Sequence, residues 1–202
     1  VETVVELCKT RLPDKMGIPA EELQVLTPTR RGDAGTRSLN FALQAALNPP
    51  APGKKERRFG ELTFREGDRV MQTRNDYDVI WQKEDGTAGT GIFNGDVGKI
   101  ARIDPSGELL EIVFDDRTAV YTADMLAELD MAYAMTVHKA QGSEYRGVVF
   151  VGAPCAPSLM VRGVLYTAIT RARELLVIVG DDSAVNKMAE NDRRSRRYSG
   201  LK

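Results

Sequence analysis

Val148-Val149-Phe150-Val151 is an uninterrupted apolar run, and a helical pattern from Val161 to Ala172 connects it to a second one, Leu175-Leu176-Val177-Ile178-Val179. Short runs that are apolar at every position read as strands buried on both faces, and strand–helix–strand order lays them side by side in a parallel sheet. At 3.6 residues per turn, Val161, Leu165, Ala168, Ile169 and Ala172 share the face that packs on that sheet. The same alternation appears near the N-terminus. Val1, Val4, Val5, Cys8 and Leu12 recur at helical spacing, and Pro13 stops the pattern. Leu23-Gln24-Val25-Leu26 follows as a short buried strand closed by Thr27-Pro28, and a second helix carries Leu39, Leu43, Ala46 and Leu47 on one face.

Between these stretches the rhythm changes. Asn48 to Gly53 contains three prolines and a glycine. After it come short runs rich in β-branched residues, Arg69–Thr73, Val97–Ile103, Leu109–Phe114 and Thr118–Tyr121, separated by Gly-Asp, Pro-Ser-Gly and Asp-Asp turns. Strands this closely spaced, with no helix between them, describe a small β-barrel. The expected organisation is an α/β parallel-sheet domain over residues 1–60 and 131–202, interrupted by an inserted barrel over 61–130.

The 202 residues are 42% hydrophobic and 28% charged, an ordinary globular composition that excludes a disordered tail or a disulfide mini-protein. Cys8 and Cys155 lie far apart and His138 is the only histidine, so the sequence holds no metal-ligand cluster. No apolar run approaches the ~20 residues of a membrane span, and no signal peptide opens the chain. It begins at Val1, almost immediately inside a helix pattern, and reads as a piece of a longer protein. The net charge of -1 conceals blocks. Asn75–Asp130 holds thirteen acidic and four basic residues, whereas Val137–Glu174 is net +3 and Lys187–Lys202 net +4. Blocked charge separates regions with different tasks.

Three segments carry chemistry. In Thr136-Val137-His138-Lys139-Ala140-Gln141-Gly142-Ser143-Glu144-Tyr145, hydrogen-bond donors suited to phosphate surround a glycine that permits close backbone approach. In Tyr166-Thr167-Ala168-Ile169-Thr170-Arg171-Ala172-Arg173, Arg171 falls at the edge of the packed helix face, where its planar fork matches phosphate oxygens, although taken alone a salt bridge to a nearby carboxylate is the reading to prefer. Thr27-Pro28-Thr29-Arg30-Arg31-Gly32 leaves the first strand, the usual ligand position in open α/β sheets. No Gly-x-x-x-x-Gly-Lys-[Ser/Thr] phosphate loop occurs, and Asp115-Asp116 and Asp181-Asp182 read as turns rather than magnesium ligands. This stretch of chain offers arginines to a nucleotide but nothing to cradle it.

These segments, in this order, resemble the motifs of superfamily 1 helicases of the RecD-like group, which moves 5′ to 3′ on DNA. Gln24–Gly32 followed by Leu39-Asn40 resembles motif IV, Thr136–Glu144 motif V and Tyr166–Arg173 motif VI. Phe64-Arg65-Glu66-Gly67-Asp68-Arg69-Val70-Met71-Gln72 and Phe93-Asn94-Gly95-Asp96-Val97-Gly98 look like the SH3-like insertion of these enzymes. The resemblance implies the second of two RecA-like domains that sandwich ATP with Mg²⁺, the phosphate loop and the magnesium ligands lying on an N-terminal RecA-like domain of the parent chain. By position, Arg171 would be the arginine finger and Arg31 a second phosphate-sensing arginine. Arg30 stands where the family carries an aromatic residue against adenine. Its guanidinium plane can also stack on a base, and which of the two arginines meets phosphate stays open. Gly142 and Glu144 would line the nucleotide, with Glu144 on the ribose, and Thr136, His138 and Lys139 would touch the DNA backbone. Barrel contacts to DNA are expected around Arg69, Gln72 and Arg74, with help from the basic tail Arg193-Arg194-Ser195-Arg196-Arg197. The implied setting is cytoplasmic DNA repair and recombination on single strands and duplex junctions, alone or with the subunits of a nuclease complex. The alternative is a non-catalytic nucleic-acid-binding module centred on the barrel, which leaves the Thr136–Glu144 segment and Arg171 without a reason. A hydrolase built on His138 and a serine lacks a nucleophile elbow and an orienting acid.

Overall fold

The computed structural model describes residues 1–192. They fall into two compact units, one of residues 1–39 with residues from Ala134 onward, the other Asn40–Tyr133. The N-terminal apolar spacing folds as α1 (Glu2–Glu6), a π-helical turn over Leu7–Arg11 and α2 (Leu12–Met16), burying Val4, Cys8 and Leu12. Pro13 does not stop this run, contrary to expectation. It occupies the first turn of α2, where the missing N–H is tolerated, directly after the wider π turn. β1 (Leu23–Thr27) is buried at all five positions, and α3 (Thr36–Leu47) follows a tight loop.

The inserted unit holds a hairpin of β2 (Glu56–Phe59) and β3 (Leu62–Arg65), then β4 (Arg69–Gln72), β5 (Asp76–Gln82), β6 (Ala88–Ile92), β7 (Val97–Ile103), β8 (Leu109–Phe114), β9 (Arg117–Thr122) and β10 (Leu129–Met131). The last seven form one antiparallel sheet in the order β10-β4-β7-β8-β9-β5-β6. Alternate residues enter its core: Leu110, Ile112 and Phe114 of β8 meet Ile100 and Ile103 of β7 and Tyr121 of β9. In the β7–β8 turn, hydrogen bonds from the Ser106 hydroxyl and the Leu109 N–H hold the Asp104 carboxyl down to about 2. A depressed carboxyl stabilises the turn above its unfolded value, and that contribution is lost as pH falls through the folded one. The Ser106 and Leu109 amides should therefore titrate by NMR with a midpoint near 2. A midpoint at the ordinary Asp value of 3.8 would contradict this turn.

The unit starts earlier than composition indicates, at Asn40 rather than residue 61, and ends at Tyr133. One buried carboxylate accounts for the shift. Asp68 is 0% exposed. Its Oδ2 accepts from Gln44 Nε2 at 2.6 Å and the Arg65 N–H at 2.7 Å, and its Oδ1 from Asn48 Nδ2 at 2.7 Å and the Tyr133 hydroxyl at 2.9 Å. Burial pushes the Asp68 carboxyl above its ordinary range against the pull of these four donors. Gln44, Asn48 and Tyr133 flank the barrel in sequence, so the C-terminal half of α3 folds with it.

The chain returns through β11 (Ala134–Thr136), β12 (Tyr145–Gly152), α4 (Arg162–Ile169), β13 (Ala172–Gly180) and α5 (Asp182–Glu190). With β1 these strands form an all-parallel sheet in the order β11-β1-β12-β13, the parallel sheet expected from the strand–helix–strand pattern. The helix expected to reach Ala172 stops at Ile169, so Arg171 lies in the turn into β13. Asp181-Asp182 is not a free turn. Asp181 caps α5 by accepting from the Ser183 N–H at 2.7 Å.

Candidate functional site

The parallel register gives the sheet two distinct edges. At the carboxyl edge Thr27 pairs with Thr136, so the loops leaving β1 and β11 emerge side by side. At the amino edge Tyr145, the first residue of β12, pairs with Ala172, the first of β13. Because Leu23 pairs with Gly147, the segment from Thr136 to Tyr145 runs back by six strand positions, roughly 20 Å at ~3.3 Å per residue. One short stretch therefore opens at one edge and closes at the other.

Arg171 stands at the amino edge, half-buried. Its carbonyl accepts from the Tyr145 N–H at 2.9 Å, which fixes the backbone. Its guanidinium donates from Nε to the Thr167 carbonyl at 3.2 Å, from Nη1 to the Ser143 carbonyl at 3.0 Å and from Nη2 to the Thr170 hydroxyl at 3.2 Å. The Thr170 hydroxyl in turn donates to the Thr167 carbonyl at 3.1 Å. All three acceptors are neutral, so the salt-bridge alternative for Arg171 is not what the structure shows. A guanidinium has five N–H groups, and these bonds leave two for an anion. Beside the Ser143 carbonyl lie Glu144 and Gly142, both exposed, the glycine at φ +90° with open space where a Cβ would project. A held cation with spare donors, next to accessible backbone and a carboxylate, fits the phosphates and ribose of a nucleotide better than a structural ion pair.

Arg30 and Arg31 are exposed in the loop at the opposite edge. That loop is tightly wound: the Thr27 hydroxyl donates to the Ala34 carbonyl at 2.7 Å, the Ser38 hydroxyl to the Gly32 carbonyl at 3.1 Å, and the Thr36 N–H to the Thr29 carbonyl at 3.1 Å. A Cβ on Gly35 would sit 2.6 Å from the Arg30 and Arg31 carbonyl oxygens. Gly35→Ala is expected to displace the Arg30 and Arg31 backbone with the remaining secondary structure intact, as amide chemical shifts and circular dichroism would show. Unmoved Arg30 and Arg31 amide shifts would contradict this loop. At this same edge Thr136 is half-buried, Val137 buried, and His138 and Lys139 follow in the turn that leaves β11. The structure thus groups Arg30 and Arg31 with Thr136 and His138. By strand register Arg31 leaves the carboxyl edge of the sheet, whereas Arg171 stands at the amino edge.

In the barrel, Gln72 cannot touch DNA as expected. It is 0% exposed, donating to Glu128 at 2.8 Å and accepting from the Tyr121 hydroxyl at 3.0 Å. Arg74 is exposed but ion-paired with Glu128, and Arg69 is half-buried. Sequence periodicity assigns Gln72 a place in a strand but not the face on which it lies. The basic tail at Arg193–Arg197 falls outside the described residues. Among the described residues no cluster of His, Cys, Asp or Glu is arranged to hold a metal ion, and no helix is long and apolar enough to cross a membrane.

Residues 39–114 match the SH3 domain of ATP-dependent RecD-like DNA helicases, and residues 131–179 match the UvrD-like helicase C-terminal domain. The chain is 37% identical over 174 residues to the ATP-dependent RecD2 DNA helicase of Deinococcus radiodurans, an alignment covering 86% of this chain and 22% of that protein. It is 29% identical over 182 residues to the RecBCD enzyme subunit RecD of Mycolicibacterium smegmatis, covering 90% of this chain and 29% of that one. The chain therefore spans less than a third of these relatives. Its fold is similar to that of the Pif1 helicase from Bacteroides crystallised with ADP-AlF3 and single-stranded DNA, at a TM-score of 0.51 and 16% identity, covering 92% of this chain and 46% of that one.

Proposed function

Because the chain belongs to the RecD-like DNA helicases, carrying their SH3 domain and a UvrD-like C-terminal domain, we propose that it is the second RecA-like motor domain of a 5′-to-3′ ATP-dependent DNA helicase. The observation that carries this reading is the guanidinium of Arg171, held on neutral acceptors at the amino edge with two donors to spare. ATP with Mg²⁺, bound chiefly by an N-terminal RecA-like domain of the parent chain, supplies the phosphoryl group whose transfer to water drives the motor. Arg171 offers its free N–H groups where charge develops, Gly142 gives backbone access and Glu144 accepts from the ribose. At the carboxyl edge Thr136 and His138, with Lys139 beside them, hold the single-strand backbone, and Arg30 and Arg31 extend that contact. The segment between the edges ends at the Ser143 carbonyl bonded to Arg171. A shift of Arg171 therefore pulls on the same stretch that grips DNA.

The D. radiodurans relative is named as an ATP-dependent DNA helicase and the M. smegmatis one as a RecBCD subunit. These names support a DNA substrate and membership of a larger complex; that this complex is a nuclease and works in the cytoplasm is part of the proposal. The test uses the parent chain: ATP hydrolysis stimulated by single-stranded DNA, and unwinding of a duplex with a 5′ tail but not a 3′ tail, are expected. This domain alone should hydrolyse nothing. Single-strand binding without stimulated hydrolysis in the parent chain would leave the barrel-centred binding module as the function.

A further inference from the structure

The acidic barrel unit carries an apolar groove on its outer face that the motor does not use. The pairing Trp81↔Ala119 carries Ile80 of β5 to Val120 of β9, and Val120 pairs with Glu111 of β8, so the three stand in one row across the sheet. Ile80 is 69% and Val120 48% exposed, high values for aliphatic side chains placed together. Around them is a groove of about 690 Å³ floored also by Trp81 and Met125. The charged residues lining it are Asp76, Asp78 and Glu111, with no basic side chain among them. Arg102 pairs with Glu111 at 2.6 Å, whereas Asp76 and Asp78 form no salt bridge among the described residues.

This chemistry selects the occupant. A phosphate backbone is repelled by carboxylates and gains nothing from exposed aliphatics. A peptide in extended conformation places alternate side chains on opposite sides, so one that alternates apolar and basic residues can seat its apolar side on Ile80 and Val120 and turn its cations to the acidic rim. The thirteen acidic residues against four basic ones in Asn75–Asp130 extend that complementarity along the stretch that supplies the groove. We propose that this groove docks an extended segment of a partner protein in which basic and apolar residues alternate. The proposal stands apart from the motor reading, since it invokes neither nucleotide nor DNA.

Trp81 is the chain's single tryptophan and lines the groove, so its emission reports occupancy. Titrating the 202-residue chain with a synthetic decapeptide of alternating lysine and valine should give a saturable change in Trp81 emission. Binding should weaken about tenfold, the scale of partly burying two aliphatic side chains, when serine replaces valine in the peptide or in the double variant Ile80→Ser, Val120→Ser. Asp76→Asn with Asp78→Asn should weaken it as well, and a glutamate–valine decapeptide should not bind. Both aliphatic positions are exposed, so the serine variant keeps its fold, with circular dichroism as the control. No saturable change, equal binding of the lysine and glutamate peptides, or insensitivity to the serine variant would each overturn the proposal. So would the same emission change with oligothymidylate, which assigns the face to nucleic acid, or concentration-dependent dimers abolished by Ile80→Ser, which assign it to a second copy.

Discussion

On the motor reading proposed above, Arg171→Ala in the parent chain is expected to lower ATP turnover by about 10³–10⁵ and to leave single-strand affinity within a few-fold of the unaltered protein. The magnitude is the one a cationic finger supplies when charge spreads over a transferred phosphoryl group. The separation of effects follows from the register, which puts Arg171 at the edge opposite Arg31 and Thr136. Arg171→Lys should rescue little, because an ammonium cannot engage the Thr167 and Ser143 carbonyls and the Thr170 hydroxyl as one planar fork while still facing an anion. Steady-state hydrolysis with saturating single-stranded DNA measures the first effect and fluorescence anisotropy of a labelled oligonucleotide the second. Turnover close to that of the unaltered protein would remove the finger assignment. A parallel collapse of DNA affinity would contradict the two-edge arrangement instead.

Asp68→Ala is expected to destabilise the barrel unit by several kcal/mol, since each buried donor left without an acceptor costs about 1–3 kcal/mol. The alanine leaves the Gln44 and Asn48 amides, the Tyr133 hydroxyl and the Arg65 N–H without their shared acceptor. Against the ~5–15 kcal/mol net stability of a typical domain, that loss lowers the denaturant midpoint by a large fraction, which Trp81 emission reads directly. Asp68→Asn keeps the shape but turns one oxygen into a donor facing other donors, and should cost about 1–3 kcal/mol. The pH dependence separates burial from bonding. The folded carboxyl lies above its ordinary value of 3.8. Stability contributed by the protonated form is therefore full below that value and declines as pH rises toward the folded one. The Asn variant lacks that decline. A denaturation midpoint unmoved by either substitution would mean that the amides find water instead.

Local pattern carries much of the architecture. The barrel strands at 97–103 and 109–114 and the all-apolar strands of the parallel sheet are legible because periodicity and turn residues mark them. β11 is not, being three residues long and directly before a polar loop. The hairpin of β5 and β6 escapes detection because its residues alternate charged, aromatic and small side chains around a bulge. At the site, Arg171 and the Thr136–Glu144 segment are legible as chemistry, but the edge each occupies depends on strand register, which no local signal fixes. For that reason the sequence alone does not tell that Arg31 and Arg171 stand at different edges. Gln72 reads as a surface donor only until tertiary packing hands it Glu128 and Tyr121 as partners.

The carboxylate of Asp68 ties the stretch that enters the insertion to the residue that leaves it. Its two ends are thereby stapled to a common point inside the barrel's own fold. Closure of the insertion therefore rests on residues it carries itself, and substitutions on the barrel's outer face leave that closure untouched.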